Sequence, residues 1–586
     1  MKIVTIASAL CFALALPLAN AGKSHDRDHE NRHHRAHHER NHDKHFSKRT
    51  REEAFGLQLL EDINPDPHIV EINLEAREDY VEMVPGVPSK VYTYNGTVPG
   101  PLIRGTVGDT LIIHFTNNLP EPTTIHWHGL RLPADMDGAS VAQNPIQPGE
   151  TFTYQYELKE ASLFWYHPHV RSNEQVEKGL AGALLVSEKK HKLDKRIRKV
   201  KQKVLVLDDV LLDENGQVEE AFTGSPKEVL LKKINGRTGN TLLVNGRQMP
   251  TMYVKSGEPI RWRMVNIANT RFMRVVVPGH KLTRIGGDGG LIETPIKDMD
   301  DVFLVPGQRA DVMFIPKGQP GSELIVYWKD TARGRHSIDI VDMPMDGGMG
   351  MGMGGGMMGM NGKMVVMGDD EMDGNYPDIP LMRIVFKKGH KHAKKLKLPE
   401  HLRTIEPIDV TGAAETTLKF GHSMPMPDGS IKFLINGKTF NEVTSHDAPD
   451  AQVGEKQVWN LVNMTGGDHP FHLHGFFFQV LETIYKDKDG NVLEVVPASQ
   501  VENVDMVNLP RRPGMRGSVS VTRIAIDFSP AEGLTGDDIE ANGGVAVIEN
   551  ADLEMGVRGR SGGWQFHCHI LEHADTGMMS FVEVFK

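Results

Sequence analysis

Residues 567–578 read HCHILEHADTGM, and the one cysteine in that stretch, Cys568, lies between His567 and His569. In a β-strand successive side chains point to opposite faces. An extended chain here turns the Cys568 thiol to one side and the His567 and His569 imidazoles to the other. His573 and Met578 follow at spacings that return an imidazole and a thioether to the side of the thiol. A thiolate, two imidazoles and a weak axial thioether are the ligands of a blue electron-transfer copper. The two flanking histidines then put a further metal centre one residue away along the backbone.

Three other clusters bear on that reading: His126-Trp127-His128-Gly129, His167-Pro168-His169, and His469-Pro470-Phe471-His472-Leu473-His474. Histidines two residues apart share a face of an extended segment. A lone pair of this kind usually reads as satisfied interior histidines, but four clusters with the cysteine inside the last do not. His469 is the natural second imidazole for the copper of the cysteine. With His469 and His573 set aside, His126, His128, His167, His169, His472, His474, His567 and His569 remain. Those imidazoles can hold three copper ions, two with three ligands each and one with two.

In these four motifs the chain resembles the multicopper oxidases (laccases, bacterial cuprous oxidases, spore-coat laccases and ferroxidases) from about residue 65 to Lys586. The resemblance implies four copper ions. The type 1 copper falls to His469, Cys568, His573 and Met578, and the type 2 copper to His126 and His472. The type 3 pair falls to His128, His167, His169, His474, His567 and His569. Asp137 matches the acid that relatives place beside the three-copper centre, where a carboxylate can shuttle protons. Many relatives carry a second proton-relaying glutamate directly after the position of His573. This chain has Ala574 there, leaving Asp575 or Glu572 as substitutes. A methionine at 578, where some relatives carry leucine or phenylalanine, implies a low to moderate potential.

Three segments repeat a theme: Asn95-Gly96, Asn245-Gly246 and Asn436-Gly437 each precede a glycine turn and an alternating strand, Leu111 to Phe115, Ile260 to Val265 and Gln457 to Val462. Short alternating strands between Gly, Pro and Asn turns indicate antiparallel sandwiches. The expected fold is therefore all-β, with three cupredoxin-like Greek-key domains over 60–188, 200–342 and 380–586. Where the first repeat has His126-Trp127-His128-Gly129, the second has Asn266-Ile267-Ala268-Asn269, so the middle domain carries no copper. The three-copper centre then belongs where the first and third domains meet.

Residues 1–21 run from Lys2 through an apolar stretch to Ala19-Asn20-Ala21, which reads as a cleaved export signal and places the protein in the periplasm or outside the cell. Residues 22–59 form a His-rich tail, expected to be disordered up to about Asn64-Pro65 and able to bind metal. Residues 343–379 are a Met/Gly-rich linker, and Gly421-His422-Ser423-Met424-Pro425-Met426 adds similar soft ligands. The net charge of −11 argues against nucleic-acid binding. With Cys11 in the signal, only Cys568 remains, so no disulfide supports the fold. No other long apolar run is present, so no membrane insertion of the mature form is expected.

The partners implied are dioxygen and a small one-electron donor. Cuprous ion is favoured, giving copper tolerance. A laccase acting on phenols is the runner-up, and manganous or ferrous oxidation comes third. A copper-sequestering protein without turnover is the non-enzyme alternative, but storage does not require a cysteine joined to two histidines. The sequence sets no oligomeric state.

Overall fold

The computed structural model describes residues 47–342, 363–369, 374–389, 395–444, 446–512, 514, 517–529 and 563–585. The three Asn-Gly pairs make the same turn in each repeat. Asn95, Asn245 and Asn436 have φ of 51°, 53° and 53°, followed by glycines at 76°, 72° and 81°. Two successive left-handed residues define a type I′ turn, which Asn-Gly adopts with least strain. Each asparagine side chain then accepts a backbone N–H from the first strand of its own repeat, at Glu75 (2.7 Å), Val206 (2.7 Å) and Lys419 (2.8 Å).

That first strand pairs in parallel with the second strand after the turn in every repeat. The pairs are Ile69–Val84 with Thr110–Asn118, Lys201–Val210 with Ile260–Asn266, and Ala414–His422 with Lys456–Asn463. The first repeat builds two four-stranded sheets, and the second and third each build a six-stranded and a five-stranded sheet. The chain is thus three β-sandwiches. The third core gathers Trp459, Phe471, Trp564 and Phe566 around the buried Cys568 and Met578.

Three expected boundaries move. The strand Ile379–Lys387, expected to open the third domain, pairs with Thr251–Lys255 and Glu323–Lys329 of the second. Leu381, Ile384 and Phe386 bury in the second core, which holds the strand there. The expected linker over 343–379 is not all linker either. Lys363–Asp369 pairs with His336–Asp342 as a two-stranded ribbon, whose Ile338 and Val365 join the core of the third sandwich.

The ordered chain also starts earlier than Asn64-Pro65. A helix, Lys48–Ala54, is capped by the Ser47 side chain, which accepts from Thr50 N. Ala54 and Leu57 pack with Leu102, Trp165, Val204 and Val206, across the seam of the first two sandwiches. The signal over 1–21, the histidines of the tail before Ser47 and the Met/Gly run over 343–362 lie outside the described residues.

A longer helix, Pro226–Asn235, has Ser225 and Glu228 as a reciprocal cap and proline in its first turn. It belongs to the second repeat in sequence, yet Leu230 and Ile234 bury against the third core.

Candidate metal centre

Strands His469–Leu473 and Gly563–Cys568 run antiparallel, with Phe471 opposite Cys568 and His472 opposite His567. Alternation along these strands sends their side chains to two different places. On one side, Cys568 Sγ lies 3.4 Å from His469 Nδ1 and 3.6 Å from His573 Nδ1, and the two nitrogens are 3.2 Å apart. Cys568 N donates to Met578 O at 3.1 Å, and Met578 N donates to His573 O at 2.9 Å. These bonds close the loop after the strand and return the buried Met578 to the level of Cys568.

On the other side three histidine groups form, each with ligand atoms within 4.8 Å of one another. They are His128, His167 and His569; His169, His474 and His567; and His126, His128 and His472. The first repeat supplies its members from strands His126–His128 and Leu163–His167, in which His126 faces His167. His569 lies just past its strand, where its N–H donates to Pro470 O at 2.6 Å. Every histidine expected as a ligand is in one of these groups or beside Cys568. Among the described residues, none comes from the middle sandwich.

The second ring nitrogens set which atom of each imidazole is free. Nδ1 of His126, His167, His472 and His567 each lies 2.9 Å from a carbonyl oxygen, of Asp137, Pro168, Asp505 and Cys568 respectively. His474 Nδ1 is 2.7 Å from Asp137 Oδ2. In a neutral ring a proton on Nδ1 leaves Nε2 as a bare lone pair. Nε2 atoms converge: His126 with His472 at 3.3 Å, His474 with His567 at 3.2 Å, and His567 also with His169, whose Nδ1 has no such partner, at 3.3 Å. Lone pairs so close repel unless a cation stands between them.

The donor set fits copper. His167 Nε2 and the ring nitrogens of His128 and His569 are buried with no hydrogen-bond partner, and a bound metal would take one nitrogen of each ring. Buried polar atoms left unpaired are costly, and a metal satisfies them. Burial lowers His469 to about 3 and His567 to about 4, and holds His128, His167, His169, His472, His474, His569 and His573 well below the usual value. These rings stay neutral at pH 7, as metal ligands must. Burial also pushes the Cys568 thiol up, and a bound cation is what would make it a thiolate.

Asp137 is 2% exposed, and its Oδ1 lies 3.3 Å from His126 Nδ1, so the carboxylate touches two of the histidines. Glu572 and Asp575 have partners other than the histidines. Asn269 donates to Glu572 at 3.1 Å, with Arg237 at 3.7 Å, and Asp575 accepts from Asn173 N at 2.7 Å. Sequence reasoning did not single out three residues that hold ligands. Thr465 Oγ1 lies 2.8 Å from His469 Nε2, Ile234 O lies 3.0 Å from His573 Nε2, and Asp505 O meets His472.

Fold and donor set together define a copper protein built from repeated β-sandwiches. The chain belongs to the multicopper oxidase family: residues 75–191, 204–333, and 409–532 with 539–585 each match one of its domains. It is an oxidoreductase with copper as cofactor. A multicopper oxidase from Staphylococcus aureus is 26% identical over 523 residues, covering 88% of each chain. Copper resistance protein A from Escherichia coli is 24% identical, covering 86% of this chain and 90% of its own. A solved multicopper oxidase from Campylobacter jejuni, described as a metallo-oxidase, is 26% identical with a TM-score of 0.67, covering 90% of this chain and 94% of that one.

Proposed function

We propose that the protein is an exported oxidase that couples one-electron oxidation of cuprous ion to the reduction of dioxygen to water, and so confers copper tolerance. In this reading His469, Cys568, His573 and Met578 hold the type 1 copper. His126 and His472 hold the type 2 copper, and His128, His167, His169, His474, His567 and His569 hold the type 3 pair. Copper held by these residues would supply one-electron redox chemistry, with four donor electrons and four protons converting each dioxygen to two waters.

The observation that carries the reading is that consecutive residues His567, Cys568 and His569 belong to three different ligand groups. A covalent path of one residue thus joins the cysteine site to both halves of the histidine site. Asp137, with Oδ2 on His474, is placed to hold a proton beside that site.

Exposed methionines near the His469 side of the chain favour a small soft donor. His573 is stacked on Phe433 with ring centres 3.9 Å apart, and its Nε2 donates to Ile234 O, so the helix Pro226–Asn235 covers that side. His469 instead meets Thr465, whose neighbour Met464 is 46% exposed; Met424 is 60% exposed. Thioethers select monovalent copper. Export rests on the signal read in residues 1–21. Among the described residues no helix is long and apolar enough to cross a membrane.

Oxygen uptake with cuprous ion, ferrous ion, manganous ion and a dimethoxyphenol, each varied to saturation, tests the donor. Cuprous ion should give the highest kcat/KM. A higher value for the phenol would make the protein a laccase.

A further inference from the structure

The middle sandwich supplies no candidate ligand among the described residues, yet two of its residues press on the histidine site. Gly307, at φ +85°, approaches so closely that a Cβ there would stand 3.0 Å from His128 Cε1 and 3.0 Å from His569 Cδ2. Two residues on, Arg309 is 2% exposed and reaches all three sandwiches. Its Nε donates to Leu163 O of the first at 3.2 Å, and one terminal nitrogen donates to Gly307 O of its own at 3.0 Å. The guanidinium also grips both carboxylate oxygens of Asp505 in the third, one at 2.6 Å. Asp505 Oδ1 lies in turn 3.4 Å from His128 Nε2.

His128 is therefore turned opposite to its neighbours. His126, His167, His472, His474 and His567 meet the protein through Nδ1 and offer Nε2. Neither ring nitrogen of His128 has a hydrogen-bond partner, but Nε2 stands 3.4 Å from the Asp505 carboxylate, and that approach leaves Nδ1 as the nitrogen for the metal. A carboxylate behind a ligating histidine fixes ring orientation and raises ligand basicity. A bidentate guanidinium fixes the carboxylate in turn.

We propose that Arg309 and Asp505 are positioning residues for the three-copper centre: Arg309, from the sandwich that holds no copper, clamps Asp505 against His128 so that His128 offers Nδ1. The inference rests on the assignment of His128 to the type 3 pair. It makes assembly of that pair depend on docking of the middle sandwich, although every ligand comes from the other two.

The test uses the full-length, copper-loaded protein and Arg309→Gln, Arg309→Lys and Asp505→Asn. Arg261→Gln is the comparison, because Arg261 forms a largely buried pair with Asp311 inside the middle sandwich. Three quantities are read: copper per chain, the blue absorption, and the electron paramagnetic resonance spectrum, in which a coupled copper pair is silent and separated ions give signals. Arg309→Gln and Asp505→Asn should keep the blue absorption but lose the silent pair, or release its copper to a chelator roughly 10–100-fold more readily. Arg309→Lys should fall between, since an ammonium keeps the charge but not the fork. Arg261→Gln should lower the melting temperature and leave the spectra unchanged.

If Arg309→Gln does not fold, Asp505→Asn, nearly unchanged in size, carries the test alone. A silent, chelator-resistant pair in the folded variants would overturn the proposal. A wild-type protein that is fully loaded yet has no silent pair would overturn the assignment of His128, and the proposal with it.

Discussion

His567 and Cys568 are consecutive in one strand, and their side chains end at different metal sites. His567 Nε2 lies 3.2 Å from His474 Nε2, while Cys568 Sγ lies 3.4 Å from His469 Nδ1. The separation follows from strand alternation, and the register with His472 and Phe471 on the facing strand fixes it. A slip of one residue would exchange the two faces and dismantle both sites.

Cys568→Ser should abolish the blue absorption and turnover with every donor. A hydroxyl supplies neither the thiolate charge-transfer band nor the conducting sulfur. The histidine groups are untouched, so the remaining coppers should stay bound. Copper analysis with absorption spectra checks this; turnover retained with any small reductant would refute the electron path.

The Met/Gly run joins the two strands of a ribbon whose facing ends are Asp342 and Lys363. Replacing Met349–Met360 with a short Gly/Ser turn should therefore spare the fold. The apparent KM for cuprous ion should rise, and oxidation of a dimethoxyphenol should hold level or quicken. Steady-state oxygen uptake on fully loaded enzyme measures both, and an unchanged cuprous KM would reduce the run to a spacer.

Removing residues 22–46 should leave phenol turnover and melting temperature unchanged. Extending the cut through residue 57 removes Ala54 and Leu57 from the seam they fill with Val204 and Val206. That loss is on the order of 2–4 kcal/mol. Chemical denaturation of the two truncated forms separates the outcomes; equal stability would mean that the helix Lys48–Ala54 contributes nothing.

Glu177 supplies a pH test away from the metal ligands. Burial raises its carboxyl from 4.5 to about 7, although Arg237 opposes the shift. The folded chain thus binds a proton that the unfolded chain has lost above pH 4.5. Its contribution to stability therefore falls as pH rises from 4.5 through 7, by at most about 3 kcal/mol. Glu177→Gln should remove that slope and keep the bond from Leu211 N, which Glu177 accepts at 2.8 Å. Melting of the copper-free proteins from pH 4.5 to 8 should show the variant gaining on the wild type as pH rises. Parallel curves would contradict the account.

The fold and the candidate ligands were legible because their signals are local. Spacings of two residues fix which imidazoles share a face, and Asn-Gly marks each repeat through left-handed conformations that few other pairs adopt. Ile379–Lys387 showed its alternation, but nothing in it says that its partners are Thr251–Lys255 and Glu323–Lys329 rather than strands further along. The helix Lys48–Ala54 could have been found from its Ser47 cap and the Arg49–Glu53 spacing, had the charge of the tail not masked Ala54 and Leu57. Arg309 and Asp505 are 196 positions apart and carry no motif. Their importance comes from three sandwiches meeting at one point, which only the assembled structure contains.

The most direct test of the oxidase assignment counts electrons. Purified, copper-loaded protein is supplied with a known amount of cuprous ion under limiting oxygen, and oxygen consumed and peroxide formed are measured together. Joining of the Cys568 site to the histidine groups predicts about four cuprous ions oxidised per dioxygen, with no peroxide released. About two per dioxygen with matching peroxide, or no uptake beyond that of free copper, would contradict it.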